Sequence, residues 1–320
     1  MNQNYYKKVI VIGSAAITHK IAVFLKNCGV EVSVFEKYDA NSQRKSSVGA
    51  LCNSGGIAYH DGDKESLTEM FLSAAKEGPL LVVSAANRYI FPAKVIADKN
   101  ITVVNYHNAK LPKHAGMHAE AWQIYETEKE AGVTWHFIAE EIDAGDIIAQ
   151  ETIPIDDSMT SIKLLKMQSV LAFDLFAGFS EKLLKKNIAG TAQEKSQNRV
   201  MHLAKDIPNG GWLDLNWDFE KISAFLRSMD YGIMKTLGDG KVLFDGQVYV
   251  WQGYEAYPPP SADGTPFCGR GQEKPRQIPS PLSQKGVAPQ SRGIFSIGEN
   301  LVIRKDSGEI ILKKCEKCNS

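Results

Sequence analysis

The chain has no surplus of charge of either sign: 37 Lys and Arg stand against 37 Asp and Glu over 320 residues. A balanced chain has no global positive field with which to gather a polyanion, which weighs against a nucleic-acid partner, tRNA included. No apolar run approaches the roughly 20 residues that a membrane-spanning helix needs, so no membrane partner is expected. Met1 to Lys8 is polar and leads straight into a strand without a signal-peptide core, and the expected location is the cytoplasm. Cysteines are few: Cys28, Cys52, Cys268, Cys315 and Cys318 are odd in number and irregularly spaced, which argues against a disulfide framework and fits a reducing compartment. Cys315 and Cys318 have metal-ligand spacing, but no second pair completes a four-ligand zinc site, so free thiols and no metal are expected. A three-glycine dinucleotide fingerprint is also missing. Gly13 after the first strand is followed by Ser14, Ala15 and Ala16, which gives a dinucleotide cofactor little support.

What is present begins as a βαβ unit. Lys8 to Gly13 reads as a strand, Ser14 to Asn27 as a helix with Ile17, Ile21, Phe24 and Leu25 at helical spacing, and Val30 to Phe35 as the next strand. That opening predicts a Rossmann-like α/β domain. Tyr38 to Gly62 reads as a solvated loop with a short strand, Asp63 to Glu77 as a helix and Leu80 to Ser84 as a buried strand. Further on, Met117 to Glu130 is helix-like, Gly132 to Ile138 and Ile147 to Pro154 are strands, and Ser158 to Lys186 is a long helix with a broad core face. Thr191 to Asn209 is polar and irregular, and Pro208, Gly210 and Gly211 reinforce the break. The expected domains are 1–190, a linker at 191–211, and a smaller β-rich domain at 212–320. In the last of these a helix over Asp214 to Ser228 precedes short strands at Lys241 to Phe244, Gln247 to Trp251, Gly293 to Ile297, Asn300 to Ile303 and Glu309 to Leu312. A Pro- and Gly-rich insertion at 254–290 interrupts them and either covers a pocket or forms surface.

The chemistry concentrates in one stretch. The apolar strand Ile101 to Val104 changes abruptly to Asn105, Tyr106, His107 and Asn108. Residues spaced i, i+2 at a strand end project to one side, so Asn105 and His107 face one pocket. A second polar run, Glu140 to Asp146, follows the strand ending at Ile138. Ligands of open α/β sheets bind beyond the carboxyl ends of strands, and Asn, His and Asp there suit a site that holds a carbonyl, moves a proton and steadies an imidazolium. Taken singly, His107 reads more readily as a structural histidine and Asp143 as a turn former. After the strand at Leu80 to Ser84, the small residues Ala85 and Ala86 let a flat ligand approach backbone polar groups. The competing reading of that segment is a strand-to-helix turn with Tyr89 and Phe91 in the core.

Asn105-Tyr106-His107, the Leu111-Pro112 turn running to Gly116, and Ile142-Asp143-Ala144-Gly145-Asp146 together resemble the catalytic signature of the 10-formyltetrahydrofolate-dependent formyltransferases. The resemblance covers roughly the first two thirds of the chain well. The C-terminal third more loosely resembles the OB-like domain of methionyl-tRNA formyltransferase. It implies a catalytic domain at 1–190 in which an amine attacks the formyl carbon directly, without a metal or a covalent intermediate. Asn105 would stabilise the oxyanion and His107 would add a second hydrogen bond. Asp143 would accept the amine proton, directly or through water, and favour a charged imidazole. The resemblance further implies a folate donor held by Ala86, Arg88, Tyr89, Ile90, Phe91, Ile138, Glu141 and Asp143. An acceptor would be lined by Lys113, His114, Gly116, Met117, His118 and Glu120. His114, His118 and His136 are expected outside the proton path.

Among acceptors the resemblance favours a nucleotide-linked amino sugar. Lys110, Lys113 and His114 depart from the more arginine-rich, tryptophan-bearing loop of the tRNA enzymes, and glycinamide ribonucleotide enzymes are shorter. A homodimer is expected by association with the sugar enzymes. An aminoacyl group on tRNA or on a peptide-synthetase carrier protein is the alternative acceptor, since Asn105 to Trp122 also resembles the formylation domains of some peptide synthetases. A non-catalytic folate-binding module that presents its C-terminal domain to a partner is the alternative of another class.

Overall fold

The first strand, β1 (Lys8–Ile12), is apolar at every position after its lysine because both of its faces are covered. The computed structural model describes residues 5–6, 8–37, 47–194, 199–257 and 293–318. The chain divides into two units. The first comprises Met1–Ala119, Ala131–Ile153 and Leu165–His202, and the second Glu120–Glu130, Pro154–Leu164 and Leu203–Ser320.

In the first unit, β1 leads through α1 (Ala16–Asn27) to β2 (Glu31–Lys37), α2 (Ser47–Ser54), β3 (Ala58–Gly62), α3 (Lys64–Lys76) and β4 (Leu80–Ser84). After α4 (Ala93–Ile96) come β5 (Ile101–His107), β6 (Ala115–Gly116), β7 (Glu130–Phe137), β8 (Ile147–Pro154), α6 (Ser161–Leu184), which belongs to this unit from Leu165 on, and β9 (Met201–His202); α5 (Ala119–Tyr125) belongs from Glu120 on to the second unit. The large sheet runs β3-β2-β1-β4-β5-β7-β8, parallel from β3 to β5 and antiparallel from β5 to β7. Strand order therefore reverses between β1 and β4, the topology that leaves a ligand crevice at strand carboxyl ends. Val9 and Val11 enter one core with Ile21 and Leu25 of α1 and Phe176 and Phe179 of α6. Ile10 and Ile12 enter the other with Leu67 and Phe71 of α3. Trp135 anchors α6, its indole donating to the Ala172 carbonyl at 2.8 Å while its ring packs on Phe176 at 5.2 Å.

Three sequence expectations change here. The segment read as a solvated loop holds α2, which buries Val48 and Cys52 four residues apart on one face. The helix expected from Met117 to Glu130 is shorter, because His118 and Thr127 on either side of α5 take left-handed backbone, at φ +59° and +56°. Segment 191–202, within the stretch read as a linker, is part of the first unit, and β9 pairs there in parallel with β6.

The second unit contains β10 (Trp212–Leu213), α7 (Phe219–Met229), β11 (Lys241–Phe244), β12 (Gln247–Val250), β13 (Gly253–Tyr257), β14 (Gly293–Ile297), β15 (Asn300–Lys305), β16 (Gly308–Lys313) and β17 (Glu316–Lys317). They form two four-stranded sheets, β10-β11-β12-β17 and β13-β16-β15-β14, so the C-terminal region is β-rich as expected. The helix begins later than the sequence suggested, because Asp218 caps it by accepting from the Lys221 amide at 2.8 Å. β13 occupies the start of the stretch read as an insertion, and 258–290 lies outside the described residues. The described cysteines, Cys28, Cys52, Cys315 and Cys318, are free thiols. Among the described residues no helix is long and apolar enough to cross a membrane.

Candidate active site

The register between β5 and β7 builds the core of the site. Tyr106 lies opposite Trp135 and Asn105 opposite His136. Directly opposed residues share a face and successive ones alternate, so the aromatic pair enters the hydrophobic core and the polar pair projects from the other face. A hydrogen-bond chain then orients Asn105. The Asn87 amide donates to the Ser84 hydroxyl at 3.2 Å, and that hydroxyl donates to Asn105 Oδ1 at 2.7 Å. Asn105 must then turn its Nδ2 the other way, where it lies 3.1 Å from His136 Nε2. His136 donates through Nδ1 to the Phe137 carbonyl at 2.8 Å, which leaves Nε2 to receive the Asn105 amide.

Asp143 closes the cluster from the turn after β7. Its Oδ2 accepts from the Gly116 amide at 2.8 Å and lies 3.5 Å from His107 Nδ1; its Oδ1 lies 3.4 Å from His136 Nε2. His107 donates through Nε2 to the His114 carbonyl at 2.7 Å, so a proton on Nδ1 is what makes its contact with the carboxylate attractive. Burial alone would raise the Asp143 carboxyl. The neighbouring His107 and His136 rings and the Gly116 amide outweigh it and hold the group well below the usual carboxylate range. Gly116 makes this possible. Its φ is +90°, and a Cβ there would sit 2.2 Å from the His202 carbonyl oxygen. Asp143 itself is left-handed at φ +53°, as are His114 at +53° and Ala86 at +55°. Such backbone in residues other than glycine costs on the order of 1–3 kcal/mol each and gathers where geometry is functional.

All of Asn105, His107, His136 and Asp143 lie in the first unit. His136, which the sequence reading set apart, contacts both Asn105 and Asp143. The signal that could have found it is the cross-strand register, and Ser84 likewise appears only once β4 and β5 are paired. The donor set divides. Ala86 and Arg88 are exposed and Ile90 is 63% exposed, whereas Tyr89 and Phe91 point into the core against Phe71. Ile138 lines a cavity of about 310 Å³ with Ile96, Val103 and Phe137, and none of the cluster residues lines that cavity. Glu141 is exposed and pairs with Arg199 at 3.0 Å. On the acceptor side, His114 is buried, with Nδ1 3.0 Å from His202 Nε2, while Lys113 and His118 are half-buried and Met117 is exposed. Glu120 belongs to the second unit, where it is buried and accepts from the Tyr231 hydroxyl.

Tyr89 offers a direct check on this division. The Thr68 hydroxyl gives its proton to the Lys64 carbonyl at 2.6 Å, so the Tyr89 phenol is the donor in its 2.6 Å bond to Thr68. Tyr89→Phe is expected to lower stability by about 1 kcal/mol in urea unfolding. Affinity for the folate that the sequence leads one to expect should stay within about twofold, since the lost bond faces the core. A large loss of affinity at unchanged stability would return Tyr89 to the ligand wall.

The profile of the formyl transferase family matches residues 9–171. The GDP-perosamine N-formyltransferase of Brucella melitensis is 25% identical over 189 residues, covering 58% of this chain and 71% of that enzyme. The methionyl-tRNA formyltransferase of Lactobacillus johnsonii is 31% identical over 134 residues, but these make up only 42% of this chain and 43% of that enzyme. An N-formyltransferase from Helicobacter canadensis, solved with folinic acid and dTDP-3-aminofucose, superposes with a TM-score of 0.67 at 17% identity, covering 97% of this chain and 99% of that one. At that identity the likeness is one of fold.

Proposed function

We propose, from the premise that the chain belongs to the formyl transferase family, that it carries the formyl group of 10-formyltetrahydrofolate to the amine of a nucleotide-linked amino sugar. The observation that carries this reading is the convergence of half-buried Asn105 with buried His107, His136 and Asp143 beside the Gly116 amide. The sugar acceptor is supported by the Brucella relative, matched over most of its length, and by the likeness in fold to a protein solved with an amino sugar nucleotide. It is supported also by the absence of net positive charge. The aminoacyl alternative draws on the methionyl-tRNA enzyme, whose match spans less than half of that enzyme.

A folate donor is supported by the exposure of Ala86 and Ile90 and by the apolar cavity that Ile138 lines with Ile96 and Val103. We assign Ala86, Arg88, Ile90 and Ile138 to hold it, with Tyr89 and Phe91 supporting them from the core. When bound, it supplies an electrophilic formyl carbon. The chain's own groups then divide the charges that attack by an amine creates. Asn105 has one amide proton toward His136 and a second free to meet the developing oxyanion. His107 is held between the His114 carbonyl at Nε2 and the Asp143 carboxylate at Nδ1. Asp143, its carboxyl held below the usual range, is assigned to hold His107 Nδ1 and the Gly116 amide in place, and the amine proton leaves through water.

The test is a mass-spectrometric assay of the protein with 10-formyltetrahydrofolate and nucleotide-linked amino sugars. A gain of one formyl group on a sugar is the expected result. Formylation of a carrier-bound or tRNA-linked aminoacyl group, with no sugar product, would replace the acceptor.

A further inference from the structure

Residues 191–194 and 199–202 follow α6 and reach both arms of the polar cluster, yet none of their side chains is needed by the chemistry assigned above. Gln193 donates through its single amide nitrogen to the carbonyls of Asp143, at 2.9 Å, and Gly145, at 2.8 Å. Arg199 donates through Nε to the Glu141 carboxylate at 3.0 Å, through Nη1 to the Asp143 carbonyl at 3.4 Å and through Nη2 to the Ile142 carbonyl. One amide and one guanidinium thus cap three successive-turn carbonyls around a residue whose φ is +53°. Left-handed backbone in a non-glycine residue persists only where its surroundings over-determine it. These donors supply that constraint.

The other arm is held by the end of the same segment. β9 pairs with β6, and the Met117 amide donates to the His202 carbonyl at 2.8 Å. The His202 ring stacks on His114 at 5.2 Å, and the His114 carbonyl is the group that receives His107 Nε2. Asp143 and His107 come from distant parts of the chain, and the residues after α6 touch the backbone that supports each.

We propose that Gln193 and Arg199 are positioning residues that set the Asp143 carboxylate against His107 and Gly116. This rests on the reading of Asp143 as part of the catalytic cluster. The role demands particular chemistry. Gln193 must offer two protons to two acceptors, which neither a shorter amide nor a carboxylate can do from the same place. Arg199 must act as a fork, because a lysine would keep the charge opposite Glu141 but could not also cap two carbonyls.

The test uses the full chain with Gln193→Asn, Gln193→Ala and Arg199→Lys, and reads amide hydrogen exchange without substrate alongside steady-state kinetics. The Gly116 amide reports directly, since its proton is held by Asp143 Oδ2. In each variant its exchange is expected to rise by about tenfold or more, with amides of β1 and β4 unchanged. The turnover number should fall by about tenfold while both KM values stay within about threefold. Gly116 exchange within about twofold of the parent in all three variants would overturn the proposal. So would parental behaviour of Arg199→Lys, because only the Glu141 ion pair would then matter. Should Gln193→Ala fail to fold, the milder Gln193→Asn and Arg199→Lys still decide the question. Exchange is read without an acceptor, so a parent protein that fails to formylate sugars strikes the acceptor assignment and leaves this measurement standing.

Discussion

Asp143→Asn is expected to remove about two to three orders of magnitude of turnover while folate affinity changes by no more than about threefold. The substitution keeps the shape of the side chain and fails on its protons. Asp143 receives the Gly116 amide on one oxygen and faces ring nitrogens of His107 and His136. An asparagine can present one oxygen to Gly116 and His107, and its NH2 then faces His136 Nε2, where it competes with the Asn105 amide for the one lone pair. It also removes the carboxylate charge that His107 Nδ1 faces at 3.5 Å. Stability should follow in a defined pH window. The folded carboxyl is depressed below its unfolded value of about 3.9, so its contribution is fully present above that value and is lost as pH falls below it toward the folded value. Removing one member of a buried charge cluster costs about 3 kcal/mol at neutral pH. Urea unfolding of parent and variant should therefore differ most near pH 7, and the curves should converge as the pH drops below about 4. Unchanged turnover would sink the assignment of Asp143, and a gap that widened on acidification would mean that the carboxyl is raised.

Why Asp143 could be found in the sequence while its supports could not is a matter of range. Asn105 and His107 could be put on one face because strand alternation is local, and Asp143 at the turn after the next apolar strand, but it was the resemblance of the three motifs that joined them into one site. His136 sits one residue from Trp135, and which of the two faces the site depends on the register of β7 against β5. Ser84 depends in the same way on β4 and β5. Gln193 and Arg199 were least visible of all. Their hydrogen bonds run to backbone carbonyls about 50 residues away, and a two-residue strand such as β9 has no periodicity to detect. Polar residues that cap a distant loop look like a linker when read alone.

The folate wall shows the converse error. The alternation of Arg88, Tyr89, Ile90 and Phe91 was present in the sequence, but it does not say which parity faces the core. Packing decided it, through Phe71 and Thr68 on α3. The Rossmann-like sheet was clear because each of its parallel strands is buried on both faces or flanked by strong helical periodicity. The β-rich second unit was clear from its turns; β11 and β14 begin and end where the pattern placed them.

The second large effect falls on Asn105. Asn105→Ala is expected to lower the turnover number by about 10²–10³, the usual cost of losing one oxyanion donor. Asn105→Asp, nearly isosteric, should be worse than alanine. The Ser84 hydroxyl can still donate to one carboxylate oxygen as it does to Oδ1 now. The other oxygen then replaces the Nδ2 donor, putting negative charge where the transition state gathers its own and close to Asp143 across His136. Alanine removes an attraction, while aspartate adds a repulsion in a buried site where screening is weak. The ordering Asn, then Ala, then Asp is measured by single-turnover formyl transfer at saturating folate, so that binding changes do not enter. If aspartate matched or exceeded asparagine, the residue would be acting through its oxygen, and the donor assigned to Nδ2 would have to be sought on His107.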